Sequence, residues 1–378
     1  MEHVAIVGVG MKRFGFYPEM HVNELGRDAG LAALDDAGLT FQDIDAVYAG
    51  HIFMQPMTAV RAVKELGCTG VPIQRIENAS ATGSAALREA YLAVAAGYYD
   101  KVLVLGLDKM TEVMGRTPAA PELEDAILPA AFFAMWATRR MHERGTKAEH
   151  LARIAAKNWN YGALNPMSQR QPTEKVTVEG VLKSSMVAWP LTKMMACPIG
   201  DGAAAAVVCR LDTAKKLAKG RPIVRIAASH LGSEKYERGH LFMGPVVGPP
   251  QMTRDAAKDV WEQSGLGPKD IHLVQVHDAF AIEELEYYEL LGFCREGEAE
   301  GCIERGEFEP GGRVPFSTDG GLIARGHPGG PTGLAQIWET VLQLRGEAGK
   351  RQVPNARAGL CHMMGGGSVC VAHVLVRD

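Results

Sequence analysis

The sequence predicts an α/β protein built from two similar halves. Segments with helical periodicity alternate with short apolar runs that are typical of buried strands. Residues 37–44 are also repeated as residues 264–271, with Gly, Leu, Asp and Ile matching at one offset of 227 (264 − 37). A second match follows in the same order, residues 81–85 against 331–335. Two matches in one order indicate a duplication.

The repeat divides the chain into an N-terminal half, 1–215, and a C-terminal half, 216–378. In both copies a helical pattern precedes the repeated block, and Gly38 and Gly265 stand where a helix C-cap glycine belongs. Residues 112–196 do not fit the alternation, because they hold 7 of the 17 methionines and several large aromatic side chains. They predict a helical insertion, which is either a lid over a site or a hydrophobic interface for another subunit.

Composition excludes several classes of protein. The 378 residues carry a formal net charge of −4, which argues against a nucleic-acid binder with a basic face. Seven cysteines without a CxxC pair indicate free thiols in a reducing compartment rather than a disulfide or metal framework. The longest apolar stretch, 126–138, is shorter than the ~20 residues that a membrane span needs. We therefore expect a cytoplasmic protein without a metal site and without nucleic-acid or membrane partners.

Ser80 stands in a turn that leads from the strand-like run 71–76 into a helix rich in small residues. The backbone N–H groups and the dipole at a helix N-terminus stabilise negative charge there. A cysteine would be strongly activated at such a position, whereas a serine is a far weaker acid and needs an adjacent base. Ser80 is therefore either a nucleophile with a base nearby or an ordinary N-cap.

Two histidines of the second half stand where a ligand could reach them. His277 closes the apolar strand 273–276, and open α/β sheets place ligands at the carboxyl ends of strands. His327 lies in the glycine-dense loop 320–330, which suits a base or a hydrogen-bond donor to a substrate oxygen. Taken alone, each of these histidines is explained at least as well by an ordinary structural role as by a catalytic one.

A third group of residues precedes the last strand. Cys361 and His362 offer a thiol and an imidazole, and three consecutive glycines at 365–367 allow backbone amides to approach a ligand closely. A tight turn without a ligand would explain the same glycines.

Taken together and in this order, these motifs resemble the thiolase family over essentially the whole chain. The motifs are a nucleophile turn of the Asn-x-Cys-Ala-Ser/Thr-Gly kind at 78–83, His-Asp-x-Phe at 277–280, Gly-Gly-x-x-x-x-Gly-His-Pro-x-Gly at 320–330, and the last glycine-rich turn. The His-Asp-x-Phe form is similar to the sterol-carrier-protein type of thiolase. Further segments resembling that type are 157–166, 197–203 and 106–110.

The resemblance implies a five-layered αβαβα fold from two βαβαβαββ halves, assembled as a homodimer. It also implies chemistry on coenzyme A (CoA) thioesters, with CoA as a substrate and no covalently bound cofactor. A nucleophile attacks the 3-oxo carbon of a 3-oxoacyl-CoA, the carbon–carbon bond breaks, and a second CoA takes the acyl group from the enzyme. Such enzymes often pair with a small subunit made of a zinc ribbon and an oligonucleotide-binding (OB) fold, which we expect here.

The resemblance also implies roles for individual residues. His327 would activate the nucleophile at Ser80, and His277 would help it to polarise the thioester oxygen. The backbone of Ser80, with Gly366 or Gly367, would form the oxyanion hole.

By the same resemblance, the acid/base position of the family falls at His362, beside Cys361.

Two departures from the family pattern stand out. Ser80 replaces the nucleophilic cysteine, as a natural residue or as an engineered replacement, and Ala279 stands where the sterol-carrier type often has a second reactive cysteine. Cys361 could take over the acid/base role.

Three functions are consistent with these features. The first is a thiolase-type acyltransferase for a bulky, aromatic 3-oxoacyl-CoA, because within the family the chain resembles the subunits that cleave benzoylsuccinyl-CoA in toluene degradation. The second is a thiolase-like retro-aldolase, although His327 and the last turn differ from the Glu and Tyr usual there. The third is a non-catalytic CoA-binding subunit, which Ser80 and Ala279 would suit. The CoA-binding residues stay unassigned, since a solvated face explains the basic candidates Arg139, Arg140, Arg170 and Lys175.

Overall fold

The computed structural model describes residues 3–114, 129–235, 250–366 and 368–378. Within these ranges the strands are β1 (Val4–Gly15), β2 (Ala46–Gly50), β3 (Ile73–Ile76), β4 (Lys101–Lys109), β5 (Met186–Ala188), β6 (Leu191–Thr192), β7 (Asp201–Arg210), β8 (Val224–Ser233), β9 (Leu273–Gln275), β10 (Ala358–Gly365) and β11 (Val369–Arg377).

The α-helices of the same ranges are α1 (Val22–Ala37), α2 (Thr58–Lys64), α3 (Thr82–Ala95), α4 (Met110–Met114), α5 (Pro129–Arg144), α6 (Ala148–Leu164), α7 (Val178–Lys183), α8 (Leu211–Leu217), α9 (Pro250–Ser264), α10 (Ala281–Leu290), α11 (Ala299–Glu304), α12 (Gly321–Arg325) and α13 (Thr332–Arg345).

The described strands form a mixed sheet in the order β3-β2-β4-β7-β1-β8-β11-β10-β9, and β5 and β6 form a separate hairpin. The first five strands in this order come from the N-terminal half and the last four from the C-terminal half. The two groups join where β1 runs antiparallel to β8, and the described pairing covers Ala5 with Arg225 and Ile6 with Val224. The half-sheets are therefore continuous along a short edge contact.

Helices lie against both half-sheets and between them. α3 contacts β2 and β4 of the first half-sheet and β8 and β11 of the second, and α13 contacts β7 and β10. α1 and α2 cover the outer face of the first half-sheet. α9 covers the second half-sheet and packs against α10. This succession of helix, sheet, helix, sheet and helix confirms the layered α/β fold that the resemblance implied.

The repeated blocks have the same structure in the two halves. α1 and α9 end one residue before Gly38 and Gly265, whose φ angles of +67° and +69° lie in the left-handed region that favours glycine. A single 3₁₀ turn follows in each copy. The backbone N–H of Thr40 donates to Asp43, and that of Gly267 donates to Asp270, both at 2.8 Å. The second match marks the starts of α3 and α13.

The described part of the insertion holds α5, α6, α7 and the β5–β6 hairpin. Phe133 of α5 stacks on Phe280, with ring centroids 4.6 Å apart, so α5 packs against the segment that follows His277. Trp189, in the hairpin, remains exposed. The insertion thus contacts a predicted site segment and also leaves apolar surface open. The boundaries 1–215, 112–196 and 216–378 stay predictions.

Among the described helices, none has the length and apolarity to cross a bilayer. The described residues also contain no group of three or more His, Cys, Asp or Glu side chains placed to hold a metal ion. All seven cysteines are free thiols.

Candidate active site

Ser80 lies in a tight turn between β3 and α3. Ala79 precedes it with φ of +46°, a left-handed conformation that non-glycine residues rarely adopt. The Glu77 carboxylate accepts the Ala79 N–H at 2.6 Å. The Thr82 hydroxyl accepts the Asn78 N–H at 2.9 Å and donates to the Ala79 carbonyl at 2.6 Å. These bonds hold a strained turn that presents a half-buried hydroxyl at the start of α3.

Two glycines allow the C-terminal half to approach this turn closely. A Cβ atom on Gly365, at the end of β10, would lie 2.3 Å from the Asn78 carbonyl oxygen. A Cβ atom on Gly333, in the first turn of α13, would lie 2.2 Å from Ser84 Oγ. Real Cβ atoms do not make such contacts, so glycine at both positions lets the halves meet around Ser80.

His327 is within hydrogen-bond reach of Ser80. Its Nε2 lies 3.2 Å from Ser80 Oγ, and its Nδ1 lies 2.9 Å from Thr332 Oγ1. Desolvation by the surrounding protein, followed by the nearby His277 and Arg325, lowers the pKa of His327 well below its ordinary value. The imidazole is therefore neutral near pH 7. When Nδ1 donates to Thr332, the Nε2 lone pair is free to accept the serine proton.

His277 places a second imidazole beside the first. The two rings have centroids 5.2 Å apart and meet edge to face at 87°. Nδ1 of His277 lies 2.9 Å from Glu283 Oε1, whereas Nε2 is buried and has no hydrogen-bond partner in the described part of the chain. Buried nitrogens are nearly always bonded, so an unpaired Nε2 in this cluster is placed to bond a ligand.

Asp278 holds the loop of His327 against the end of β9. Its carboxylate accepts the Leu322 N–H and the Asn158 side-chain amide, each at 2.8 Å. A Cβ atom on Gly321 would lie 2.2 Å from Asp278 Oδ2, so glycine is needed for this approach. Burial, followed by the charge of Glu284, raises the pKa of Asp278 well above its ordinary value. The two histidine-bearing segments are thus fixed relative to each other by a buried hydrogen-bonded carboxyl group.

Cys361 and His362 face opposite sides of β10, because side chains alternate along a strand. Cys361 Sγ lies 3.2 Å from Thr340 Oγ1 on α13, and burial raises the pKa of its thiol to about 12. His362 Nε2 lies 3.3 Å from Thr253 Oγ1, and its ring is 4.4 Å from that of Tyr287. Burial lowers the pKa of His362 to about 3, so its ring is neutral.

The structure therefore brings Ser80, His327 and His277 together. His362 connects to them through Tyr287, whose hydroxyl donates to the Glu283 carboxylate at 3.3 Å. Cys361 points into the core between β10 and α13, away from this connection. Gly366 lies in the turn after β10, and Gly367 lies outside the described residues. The catalytic and oxyanion-hole roles of all seven residues stay predictions.

Sequence reasoning gave no role to Glu283, Tyr287 or Thr332. A signal existed for Glu283, because a glutamate at the third position of a helix commonly accepts the N–H of the residue before that helix. Glu283 does so with Phe280, at 3.1 Å. For Thr332 the sequence alone held no signal, since its partner lies in the His327 loop. Tyr287 stands four residues after Glu283 on α10, a helical spacing that could have paired the two side chains.

Two of the basic side chains considered for CoA phosphates are engaged elsewhere. Arg140 is buried in an ion-pair cluster with glutamates. Arg170 lies over the Trp159 ring at 4.7 Å and donates to the carbonyls of Ala196 and Ile323. Arg139 is exposed and pairs with Glu143. The CoA-binding residues remain unassigned.

Comparison with protein families gives two matches that together span most of the chain. Residues 4–212 match the model "Thiolase, N-terminal domain", and residues 238–377 match "Thiolase C-terminal domain-like".

Individual relatives extend over the whole length. The chain is 37% identical to an acetyl-CoA acetyltransferase of Methanothermobacter thermautotrophicus, with 100% of both chains covered. It is 36% identical to human sterol carrier protein 2, covering 98% of this chain and 71% of that protein. It is also 36% identical to the benzoylsuccinyl-CoA thiolase subunit BbsB of Thauera aromatica, covering 96% and 95%.

Among solved structures, the Ltp2-ChsH2(DUF35) aldolase superposes with a TM-score of 0.86 at 27% identity, covering 100% of this chain and 98% of that one. The sequence-based expectation of a sterol-carrier type with similarity to the benzoylsuccinyl-CoA enzyme is confirmed by these relatives.

Proposed function

The chain belongs to the thiolase family, and on this premise we propose that it is an acyltransferase that cleaves a bulky 3-oxoacyl-CoA with CoA, using Ser80 as nucleophile. The observation that carries the proposal is the 3.2 Å contact between Ser80 Oγ and His327 Nε2, in a strained turn at the start of α3. A serine needs an adjacent base, and a neutral imidazole at this distance is one.

The first half of the reaction forms an acyl-enzyme. His327 Nε2 takes the Ser80 proton as Oγ attacks the 3-oxo carbon. The C2–C3 bond then breaks. The acyl group stays on Ser80, and the electron pair of the broken bond goes to C2 as a thioester enolate. Nε2 of His277 is buried and has no hydrogen-bond partner among the described residues, so it is available to donate to the enolate oxygen and stabilise it. The backbone N–H groups of Ser80 and of the turn at 366–367 are the proposed oxyanion hole.

The second half transfers the acyl group to a new CoA thiol. The sulfur attacks the ester carbon, and Ser80 Oγ leaves with the proton held on His327. An oxygen ester is a poorer acyl donor than a thioester, so the acyl group should persist on Ser80 longer than on a cysteine. Accumulation of an acyl-enzyme is a kinetic sign of covalent catalysis.

A bulky, aromatic acyl group is supported by one relative and one contact. BbsB is a subunit of a benzoylsuccinyl-CoA thiolase. In this chain, the aromatic side chains of α5 approach the site segment, with Phe133 stacked on Phe280. An aromatic wall would select a flat acyl group through ring stacking.

Assembly is part of the same proposal. BbsB is one subunit of its enzyme, and Ltp2 was solved with ChsH2(DUF35). We therefore propose a homodimeric core that pairs with a small zinc-ribbon and OB-fold subunit. CoA and its thioester are the small-molecule partners, and no covalently bound cofactor enters the reaction.

The test compares the chain as it stands with Ser80→Cys and Ser80→Ala in CoA-dependent cleavage of aromatic and straight-chain 3-oxoacyl-CoAs. We expect the cysteine variant to turn over faster and the alanine variant to lose about 10³-fold or more, because the nucleophile is gone. Intact-mass analysis should find an acyl adduct on the unaltered chain and none on Ser80→Ala.

Ser264→Cys is the matched control, because Ser264 lies at the end of α9, where its half-buried hydroxyl donates to the Val260 carbonyl, and the substitution adds a thiol away from the site. Cleavage that is equal in all four proteins would contradict a covalent role for Ser80. Thioester binding without turnover, in Ser80→Cys as well and with a partner subunit present, would favour a non-catalytic CoA-binding subunit.

A CoA-thioester retro-aldolase is the second candidate. It is favoured by the structural likeness to the Ltp2-ChsH2(DUF35) aldolase and by the hydroxyl at position 80. In that reaction the His327 imidazole would take the proton of a 3-hydroxyl group, with no acyl-enzyme. Release of an aldehyde or ketone from a 3-hydroxyacyl-CoA without added CoA, retained in Ser80→Ala, would replace the first proposal by this one.

A further inference from the structure

Glu283 is a buried carboxylate that the reaction proposed above does not use. Its Oε1 lies 2.9 Å from His277 Nδ1 and accepts the Tyr287 hydroxyl at 3.3 Å, and its Oε2 accepts the Phe280 N–H at 3.1 Å. Glu283 is 3% exposed. The Phe280 N–H can only donate, and the Tyr287 hydroxyl and a protonated His277 Nδ1 can donate as well, so these surroundings suit a carboxylate that acts as acceptor only.

His277 is the ion-pair partner of this carboxylate among the described residues. A buried carboxylate is costly unless it is paired, and a His277 ring with a proton on both nitrogens would supply the paired charge. The proton on Nδ1 is held by Glu283. The proton on Nε2 has no partner among the described residues, and the His277 ring centroid lies 5.2 Å from that of His327.

The reaction proposed above also needs a group that delivers a proton to the enolate carbon. Ala279 has no titratable side chain. The Cys361 thiol is 3.2 Å from Thr340 Oγ1, in the core on the opposite face of β10 from His362. His327 is occupied by the proton that it took from Ser80. His362 is linked to the site through Tyr287, so His277 is the remaining imidazole beside His327.

We propose that Glu283 is a positioning residue that makes His277 the acid that protonates C2 of the thioester enolate. The proposal rests on the proposed function, and it assigns the acid/base role to a His277–Glu283 pair in place of a second cysteine. Tyr287, by donating to Glu283, keeps the carboxylate turned towards His277.

The protons balance over one cycle. The Ser80 proton moves to His327 Nε2 during attack, and His277 Nε2 gives its proton to C2 after the C2–C3 bond breaks. The incoming CoA thiol returns a proton to His277 Nε2 as its sulfur attacks the acyl-enzyme. His327 gives its proton back to Ser80 Oγ as the C–O bond breaks. No oxidant, reductant or further reactant is needed.

The variant Glu283→Gln distinguishes the proposed role of Glu283 towards His277 from its role as a helix cap. The glutamine carbonyl can still accept the Phe280 N–H at the start of α10, and its NH₂ can donate to His277 Nδ1. Nε2 then keeps a hydrogen and can still donate to the thioester oxygen. The ring no longer has a negative partner, however, so a doubly protonated His277 would lack its counter-charge.

The experiment measures exchange of the methyl protons of acetyl-CoA with D₂O by NMR, in the unaltered chain and in the Ser80→Ala background. This partial reaction requires proton transfer at C2 and no acyl-enzyme. We expect Glu283→Gln to slow the maximal exchange rate about 100-fold in both backgrounds, in the range of general acid–base catalysis. The KM for acetyl-CoA and the melting temperature should stay unchanged.

Glu286→Gln is the matched control on the same helix, because Glu286 pairs with Arg140 rather than with His277. It should leave the exchange rate unchanged. The proposal is overturned if Glu283→Gln exchanges at the unaltered rate, if KM rises and the melting temperature falls with the rate, or if the unaltered chain catalyses no exchange. Exchange that persists in Ser80→Ala and is lost in Glu283→Gln supports it even if no acyl group is ever found on Ser80.

Discussion

The two halves of the chain place different chemistry on the same scaffold. α3 and α13 both begin with Thr-Gly and pack together between the half-sheets, with Gly333 against Ser84. The turn before α3 carries a hydroxyl, whereas the loop before α13 carries an imidazole. Neither half has both a nucleophile and its base, so the proposed site exists only where the two halves meet.

The histidines that follow β2 and β9 also differ between the halves. His51 follows β2 and is fully buried, no described residue bonds either of its ring nitrogens, and burial lowers its pKa to about 4. His277 follows β9 and has the Glu283 carboxylate at 2.9 Å. A neutral core histidine and a candidate acid thus occupy similar places in the fold. The carboxylate six residues further along the chain makes the difference.

Removing the His327 imidazole should have the largest effect on activity. His327→Ala should lower the kcat of CoA-dependent cleavage by about 10²–10⁴-fold with a small change in KM, because it removes the base of Ser80. Since the pKa of His327 is held well below its ordinary value, activity of the unaltered chain should be level through neutral pH and fall only in acid. Steady-state kinetics against pH measures both effects.

His142→Ala is the control, because His142 is exposed on α5. Unchanged kcat in His327→Ala would mean that Ser80 is activated by another group or is not the nucleophile.

Much of the fold was predictable because it depends on local patterns. Gly38 and Gly265 marked equivalent helix ends, and the structure gives both a left-handed backbone and the same following turn. The approach of Ser80 to His327 was predictable only through the family resemblance. The two residues are 247 positions apart, and periodicity within a segment carries no information on such a pairing.

The last turn shows where local patterns fail. The glycines at 365–367 predicted a turn before the last strand, with Cys361 and His362 just ahead of it, and no strand was expected there. In the structure these two residues belong to β10, which continues to Gly365 because it pairs with β11 along its whole length and with β9 over part of it. Strand alternation then sends the two side chains to opposite faces. Glu283 was missed because a glutamate that caps a helix is common, and its contact with His277 comes from tertiary structure.

Widening the contact between the halves should have an intermediate effect. Gly333→Ala would put a Cβ 2.2 Å from Ser84 Oγ and 2.9 Å from its backbone N, so α3 and α13 must separate. We expect the free energy of unfolding to fall by about 1–3 kcal/mol, as in overpacked cores. Cleavage activity should fall as well, because the separation moves Ser80 relative to His327. Urea unfolding and kinetics measure the two effects.

Gly301→Ala in α11 is the control, because its nearest neighbour would be the end of the exposed Arg305 side chain. If Gly333→Ala were as stable and as active as Gly301→Ala, close helix contact would not be what aligns the halves.

A buried carboxyl group between the halves should give the smallest effect, visible as a pH dependence. Asp108 of β4 accepts the N–H groups of Ile52 at 3.1 Å and of Gly330, in the His327 loop, at 2.7 Å. Burial raises its pKa to about 7, above the unfolded value of 3.8. Ionising it therefore costs more in the folded state, and the stability that it contributes declines as pH rises from about 4 to 7.

Asp108→Asn removes this titration while keeping one oxygen acceptor. The unaltered chain should lose stability relative to Asp108→Asn between pH 5 and 8, by on the order of 1 kcal/mol, in urea unfolding at the two pH values. Asp43→Asn is the control. Backbone and side-chain hydrogen bonds from Thr40 lower the pKa of the exposed Asp43, so its contribution is already complete at pH 5 and stays level up to pH 8. A difference between Asp108→Asn and the unaltered chain that does not vary with pH would show that Asp108 is ionised throughout. The halves would then be joined at Gly330 by a full negative charge.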